Sequence, residues 1–247
     1  MALVLCARAA AAQTLTVAAA SDLQSVLPTI AQQFQRETGH AVTPVFGSSG
    51  NFFMQIQNGA PFDLFFSADI EYPRQLEAAK LAEPGSLYEY AAGEIVLWAR
   101  RDAGIDLSRG LAALEDAHVR KVAIANPAHA PYGRAAVAAL QHEGLYDRIK
   151  SKLVLGENIS QAAQFVQSGA AEAGIVALSL TRTADARALG VSREIPPNDY
   201  PPIEQGVVIL ASSGHKDLAQ QFLAFLRTPE IVRTLQEYGF RLPTPAR

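Results

Sequence analysis

Two serine-bearing turns are the part of this chain best suited to chemistry. The run Leu15-Thr16-Val17-Ala18-Ala19-Ala20 leads into Ser21-Asp22, and Val42-Thr43-Pro44-Val45-Phe46-Gly47 leads into Ser48-Ser49. In both, an apolar strand pattern passes through a hydroxyl residue into an amphipathic helical pattern. A helix start presents unpaired N–H groups and the positive end of a dipole, so it attracts anions. Serine is also among the commonest N-caps, so either turn alone says little. Neither segment contains Lys or Arg. Two such starts without a cation suit a small, fully deprotonated oxyanion.

Other chemistries find no comparable pattern. His40, His118, His129, His142 and His215 are scattered, without the paired spacing of a zinc helix. There is no Gly-x-Ser-x-Gly elbow, so that nucleophile motif for covalent catalysis is absent. Gly47-Ser48-Ser49-Gly50 lacks the lysine of a phosphate-binding P-loop. Asp63 and Asp69 could form a carboxylate pair, but they read better as turn caps around the buried stretch Leu64–Phe66. No cofactor is implied.

The elements that must hold these turns alternate between strand and helix, which predicts an α/β fold with mainly parallel sheets. Leu23, Val26, Leu27, Ile30, Ala31 and Phe34 share one helical face that Gly39 ends. Later, Asn126–Gly133 delivers the chain to an Ala-rich helix. Asn158-Ile159-Ser160-Gln161 has the form of a capping box. Apolar strands at 94–99 and 206–211 bracket a central block of about a hundred residues. Two lobes joined by two crossovers fit this order, with 13–94 and 207–247 in one and 95–206 in the other.

Length and charge narrow the class. At 247 residues the chain reaches the size at which one core divides into two. A net charge of −3 provides no basic field for nucleic acid. Residues 1–12 are apolar and end in alanines, as in the rear of a secretory signal with a cleavage site near Ala12. Export to the periplasm follows from that reading. Cys6, the one cysteine, lies in this segment, so a mature chain would have no disulfide and no thiol site.

Ala18-Ala19-Ala20-Ser21, Phe46-Gly47-Ser48-Ser49, the phrase from Gly59 to Asp69, Asn126-Pro127 with Pro131-Tyr132-Gly133, and Tyr238-Gly239-Phe240 stand in order. Together they resemble the periplasmic molybdate-binding proteins of ABC transporters, from about Leu15 to Pro243. The resemblance implies a two-lobed, type II periplasmic-binding-protein fold that closes about a hinge on molybdate or tungstate. It implies a monomeric carrier that delivers its ligand to a membrane permease and is not an enzyme. Ser21 and Ser49 would bind oxyanion oxygens through hydroxyl and N–H, and Asp22 through its N–H. Tyr132 and the N–H of Ile159 would add contacts from the second lobe. Some relatives carry a further tyrosine where this chain has Ala177.

Molybdate at neutral pH carries no proton, so its oxygens can only accept hydrogen bonds. Donors to a charged acceptor are strong, about 1.5–3 kcal/mol each, and leaving out Lys and Arg avoids the desolvation of a second ion. Asp22 is the awkward residue. Turned toward the ligand, its carboxylate would repel molybdate and favour hydrogen phosphate. The expectation is that it sits in the first helical turn with its side chain in solvent. Arg134, the nearest cation, reads as a solvated helix residue and Ser48 as a shaper of its turn. Rival readings are a sulfate- or phosphate-type binder, a hydrolase of oxyanion esters, and a sensor domain of a regulator.

Overall fold

The computed structural model describes residues 12–243; the leader-like segment and Cys6 lie outside the described residues, apart from Ala12. Among the described residues the strands are β1 (Thr14–Ala20), β2 (Ala41–Gly47), β3 (Leu64–Ser67), β4 (Tyr88–Gly93), β5 (Ile95–Arg100), β6 (Val122–Ala125), β7 (Leu153–Gly156), β8 (Ala173–Ala177), β9 (Gly190–Glu194) and β10 (Ile203–Ile209). They form two five-stranded sheets, ordered β2-β1-β3-β10-β4 and β7-β6-β8-β5-β9. In the first, β10 alone runs against its neighbours. In the second, β5 alone does so. Each sheet therefore repeats one plan, and the reversed strand is the first one after a crossover.

The chain leaves the first sheet at Gly93 and enters the second at Ile95. It returns between Glu194 and Ile203, where Ile203 pairs with Gly93. Residues 203–206 therefore belong to the first sheet, ahead of the boundary expected at 207. A polar start to β10, Ile-Glu-Gln-Gly, hid its first half from a hydrophobicity pattern.

Alternation along the strands builds a core on each face of the first sheet. Leu15, Val17, Ala19, Leu64, Phe66, Val207 and Ile209 face one cluster with Phe34 and Phe222. Ala18, Phe65 and Val208 face the other with Phe52 and Leu76. The second sheet packs around Trp98, Ile124, Ile175 and the small faces of Ala136 and Ala139.

The helix after β1 differs from expectation in its first turn. Ser21–Ser25 is a tight 3-10 turn, and the α-helix runs from Leu27 to Thr38. Pro28 has no N–H to give the carbonyl of Gln24, so the i→i−4 ladder cannot run back through this point. The buried face is the expected one, Leu27, Ile30, Ala31 and Phe34, and Gly39 closes it with φ +77°. β4 and β9 escaped the sequence pattern. β9 is a five-residue edge strand that is exposed beyond Gly190, so it carries little apolar periodicity.

Candidate functional site

β1 and β2 are parallel neighbours, with Ala20 opposite Gly47. Both strands therefore end at one edge of the sheet, and the turns that follow bring Ser21 and Ser49 together. The second lobe repeats the arrangement. β6 and β7 are parallel, with Ala125 opposite Gly156, and they feed the helices Pro131–His142 and Ile159–Gln167. Ligand sites in open α/β sheets lie at such carboxyl ends. Here two of these edges face each other.

Between them lies a small cavity of ≈ 10 Å³ lined by Ser21, Asp22, Ser49, Tyr132 and Ile159, with Ala130, Pro131 and neighbouring turn residues completing the wall. All five residues expected from the sequence meet at this one place. Among the described residues no Lys, Arg or His lines it.

The two hydroxyls are poised as donors. Ser21 Oγ accepts the N–H of Ser160 at 3.2 Å, and Ser49 Oγ accepts that of Ala68 at 2.9 Å. Each oxygen is held by a backbone donor, and among the described residues neither proton has an acceptor. The N–H groups of Ser49 and Ile159, each the first residue of its helix, likewise make no hydrogen bond within the described residues. Asn158 caps the second helix by accepting from Gln161 N at 3.0 Å. The Gln161 side chain reaches back one residue beyond the usual capping box, to the N–H of Glu157.

Asp22 contradicts the expectation of a solvent-facing side chain. It is fully buried. Its Oδ2 accepts from Tyr132 Oη at 2.9 Å and from Gln205 Nε2 at 2.6 Å, while Tyr90 Oη donates to Gln205 Oε1 at 2.6 Å. Its Oδ1 has no hydrogen-bond partner. Burial pushes the Asp22 carboxyl up to about 6, against the lowering effect of the bonds from Gln205 and Tyr132 and of the nearby backbone N–H groups of Asp22 and Leu23. Burial, and then the charge of Asp22, holds the Tyr132 and Tyr90 hydroxyls well above their ordinary value, so both remain neutral donors. Tyr132 thus lines the cavity as expected, but its hydroxyl proton goes to Asp22. Gln205 and Tyr90 went unnoticed in the sequence. The one clue was a Gln inside the largely apolar run of β10, where a buried amide requires partners.

The lobes also meet at the rim. Ser48 caps the helix Ser49–Gln57 and bonds His129 Nδ1 at 2.8 Å. Gly50 N donates to His129 O at 3.0 Å. Arg134 is exposed, as expected, and pairs with Asp69 across the cleft. Asp69 also caps its turn, accepting from Glu71 N at 3.0 Å. Asp63 is no partner for it, since it accepts Thr16 N and Ser213 Oγ at 2.7 and 2.6 Å and holds β1 to the segment after β10.

The family model for bacterial extracellular solute-binding proteins matches residues 15–241. The chain belongs to this family. Among its solute-binding relatives, the molybdate-binding protein ModA of Azotobacter vinelandii is 40% identical over 238 residues, 96% of this chain and 94% of that one. ModA of Rhodobacter capsulatus is 39% identical over 231 residues, covering 94% and 89%. The solved structure of the Azotobacter vinelandii periplasmic molybdate-binding protein superposes with a TM-score of 0.87 at 38% identity, over 93% of this chain and all of that one. The sulfate-binding protein SubI of Mycobacterium tuberculosis, at 16% identity and a TM-score of 0.72 over 94% and 88%, shares the fold alone. The solute-binding chain is therefore ModA-like, with the two-lobed type II architecture. These relatives are named as binding proteins rather than enzymes.

Proposed function

We propose that this protein captures molybdate or tungstate between its lobes and delivers it to the permease of an ABC transporter. It works as a periplasmic monomer and does no chemistry. One observation carries the reading. Two serine protons and two helix-start N–H groups, all without protein acceptors, converge on a cavity that has no cation in its wall. An anion that only accepts hydrogen bonds satisfies every one of them. The 40% identity to a ModA supports molybdate as that anion.

In this reading Ser21 and Ser49 bind through hydroxyl and N–H, and Asp22 and Ile159 through N–H. Tyr132 shapes the wall and secures Asp22. The proposed lobes are 13–94 with 203–247 and 95–202, a division supported by the pairing of Ile203 with Gly93. A phosphate reading also has an observation behind it, because a free, ionised Asp22 Oδ1 could accept the proton of hydrogen phosphate.

Replacing Ser21 and Ser49 together by Ala removes two charge-assisted bonds, about 3–6 kcal/mol in all. Titration calorimetry with sodium molybdate should show at least a hundredfold loss of affinity for S21A/S49A. Unchanged binding by the double variant would place the site elsewhere.

A further inference from the structure

We propose that Asp22 carries a proton on Oδ1 when the anion is bound, so that capture of a dianion is coupled to uptake of one proton. This rests on the reading above and adds its regulation by pH. The Asp22 carboxyl is fully buried in the wall of the anion cavity. Oδ2 already accepts two bonds, from Tyr132 and Gln205, while Oδ1 has no partner of hydrogen-bond geometry among the described residues.

Among the described residues no cationic side chain faces it, and only the backbone N–H groups of Asp22 and Leu23 join Gln205 and Tyr132 in favouring its ionised form. The helices Leu178–Thr181 and Ile159–Gln167 and the strands β1 and β2, all packed on the Ser21–Ser25 turn, contain no ionisable side chain. The helix Leu27–Thr38 carries Arg36 and Glu37 only at its far end. The helix Pro131–His142 brings Tyr132, while its Arg134 is paired with Asp69 and its His142 lies in the last turn. β10 presents the neutral Gln205, with Glu204 exposed. β4 presents Tyr90, whose hydroxyl is held by Gln205, and half-buried Tyr88 and Glu89. An ionised Asp22 beside a dianion would thus be two like charges at a buried carboxyl, which disfavours its ionised form.

Protonation removes the repulsion and converts Oδ1 into an O–H donor. The step is simple: Oδ1 takes one proton from solvent, no other bond breaks, and the new O–H donates to an oxygen of the anion. A buried atom without a partner gains one, as buried polar groups require. Hydrogen phosphate fits differently, because it brings its own proton and would leave Asp22 ionised.

The test is calorimetric titration with sodium molybdate near neutral pH, in two buffers of different ionisation enthalpy, with D22N alongside. The wild type should take up close to one proton per anion, and its affinity should fall about tenfold from about pH 7 to pH 8. D22N offers an amide donor that cannot titrate, so its binding should be flat over that range without proton uptake. Molybdate binding by the wild type with no proton uptake overturns this inference and leaves the functional reading intact. No molybdate binding at all overturns both. The wild-type buffer comparison decides the matter even if D22N fails to fold.

Discussion

Burial of the Asp22 carboxyl leaves a signature on stability that needs no ligand. Its folded-state value of about 6 lies above the ordinary 3.8, so folding favours the protonated form. That contribution is complete below about pH 4 and is lost as pH rises through about 6. Two units correspond to about 3 kcal/mol. D22N has no such dependence. Urea unfolding should therefore show the variant gaining on the wild type by about that amount between about pH 4 and pH 7. A difference constant with pH would contradict the buried, ionisable carboxyl. The serines could be read in the sequence because strand, hydroxyl and helix start lie within a few residues. The direction of the Asp22 side chain could not, because Gln205 and Tyr132 draw it inward from 183 and 110 positions away.

Helix starts are the working elements of the site, and the helix Ser49–Gln57 shows how closely the lobes approach. A Cβ on Gly50 would meet His129 O at 2.6 Å and Tyr72 Oη at 3.0 Å. Gly50 has ordinary helical geometry, and Ala is the better helix former by up to about 1 kcal/mol. The clash is with a backbone oxygen that cannot swing aside, and forcing a methyl into such a contact costs about 1–3 kcal/mol, so G50A should lower the melting midpoint of the free protein. Molybdate affinity should drop about tenfold, read by titration calorimetry, and an unchanged affinity would mean that the rim contact at His129 is unimportant for binding. Sequence periodicity captured the long amphipathic helices and the buried strands well. It missed β4 and β9, whose place is set by pairing with β10 and β5 rather than by their own apolar residues.

On the scale of the whole molecule, two sheets with one plan oppose the carboxyl ends of their parallel strands across a double crossover. The alternation of strand and helix made the two lobes legible, and the strand-rich segment at 94–99 marked the first change of sheet, while the return falls at Ile203, ahead of the segment at 206–211. The register of the lobes against each other was not legible, because it rests on contacts such as Ser21 with Ser160 and Ser48 with His129 that join distant residues. Those contacts surround the proposed anion cavity, so a ligand bound there would bridge both halves and stabilise the molecule as a unit. At a thousandfold its dissociation constant, a ligand that binds only the folded protein adds about 4 kcal/mol. The most direct measurement is thermal melting of the wild type with molybdate, tungstate, sulfate and phosphate in turn. A cation-free cavity of hydrogen-bond donors for molybdate or tungstate predicts a raised midpoint with those two anions and little response to phosphate. A midpoint raised by phosphate alone would contradict it.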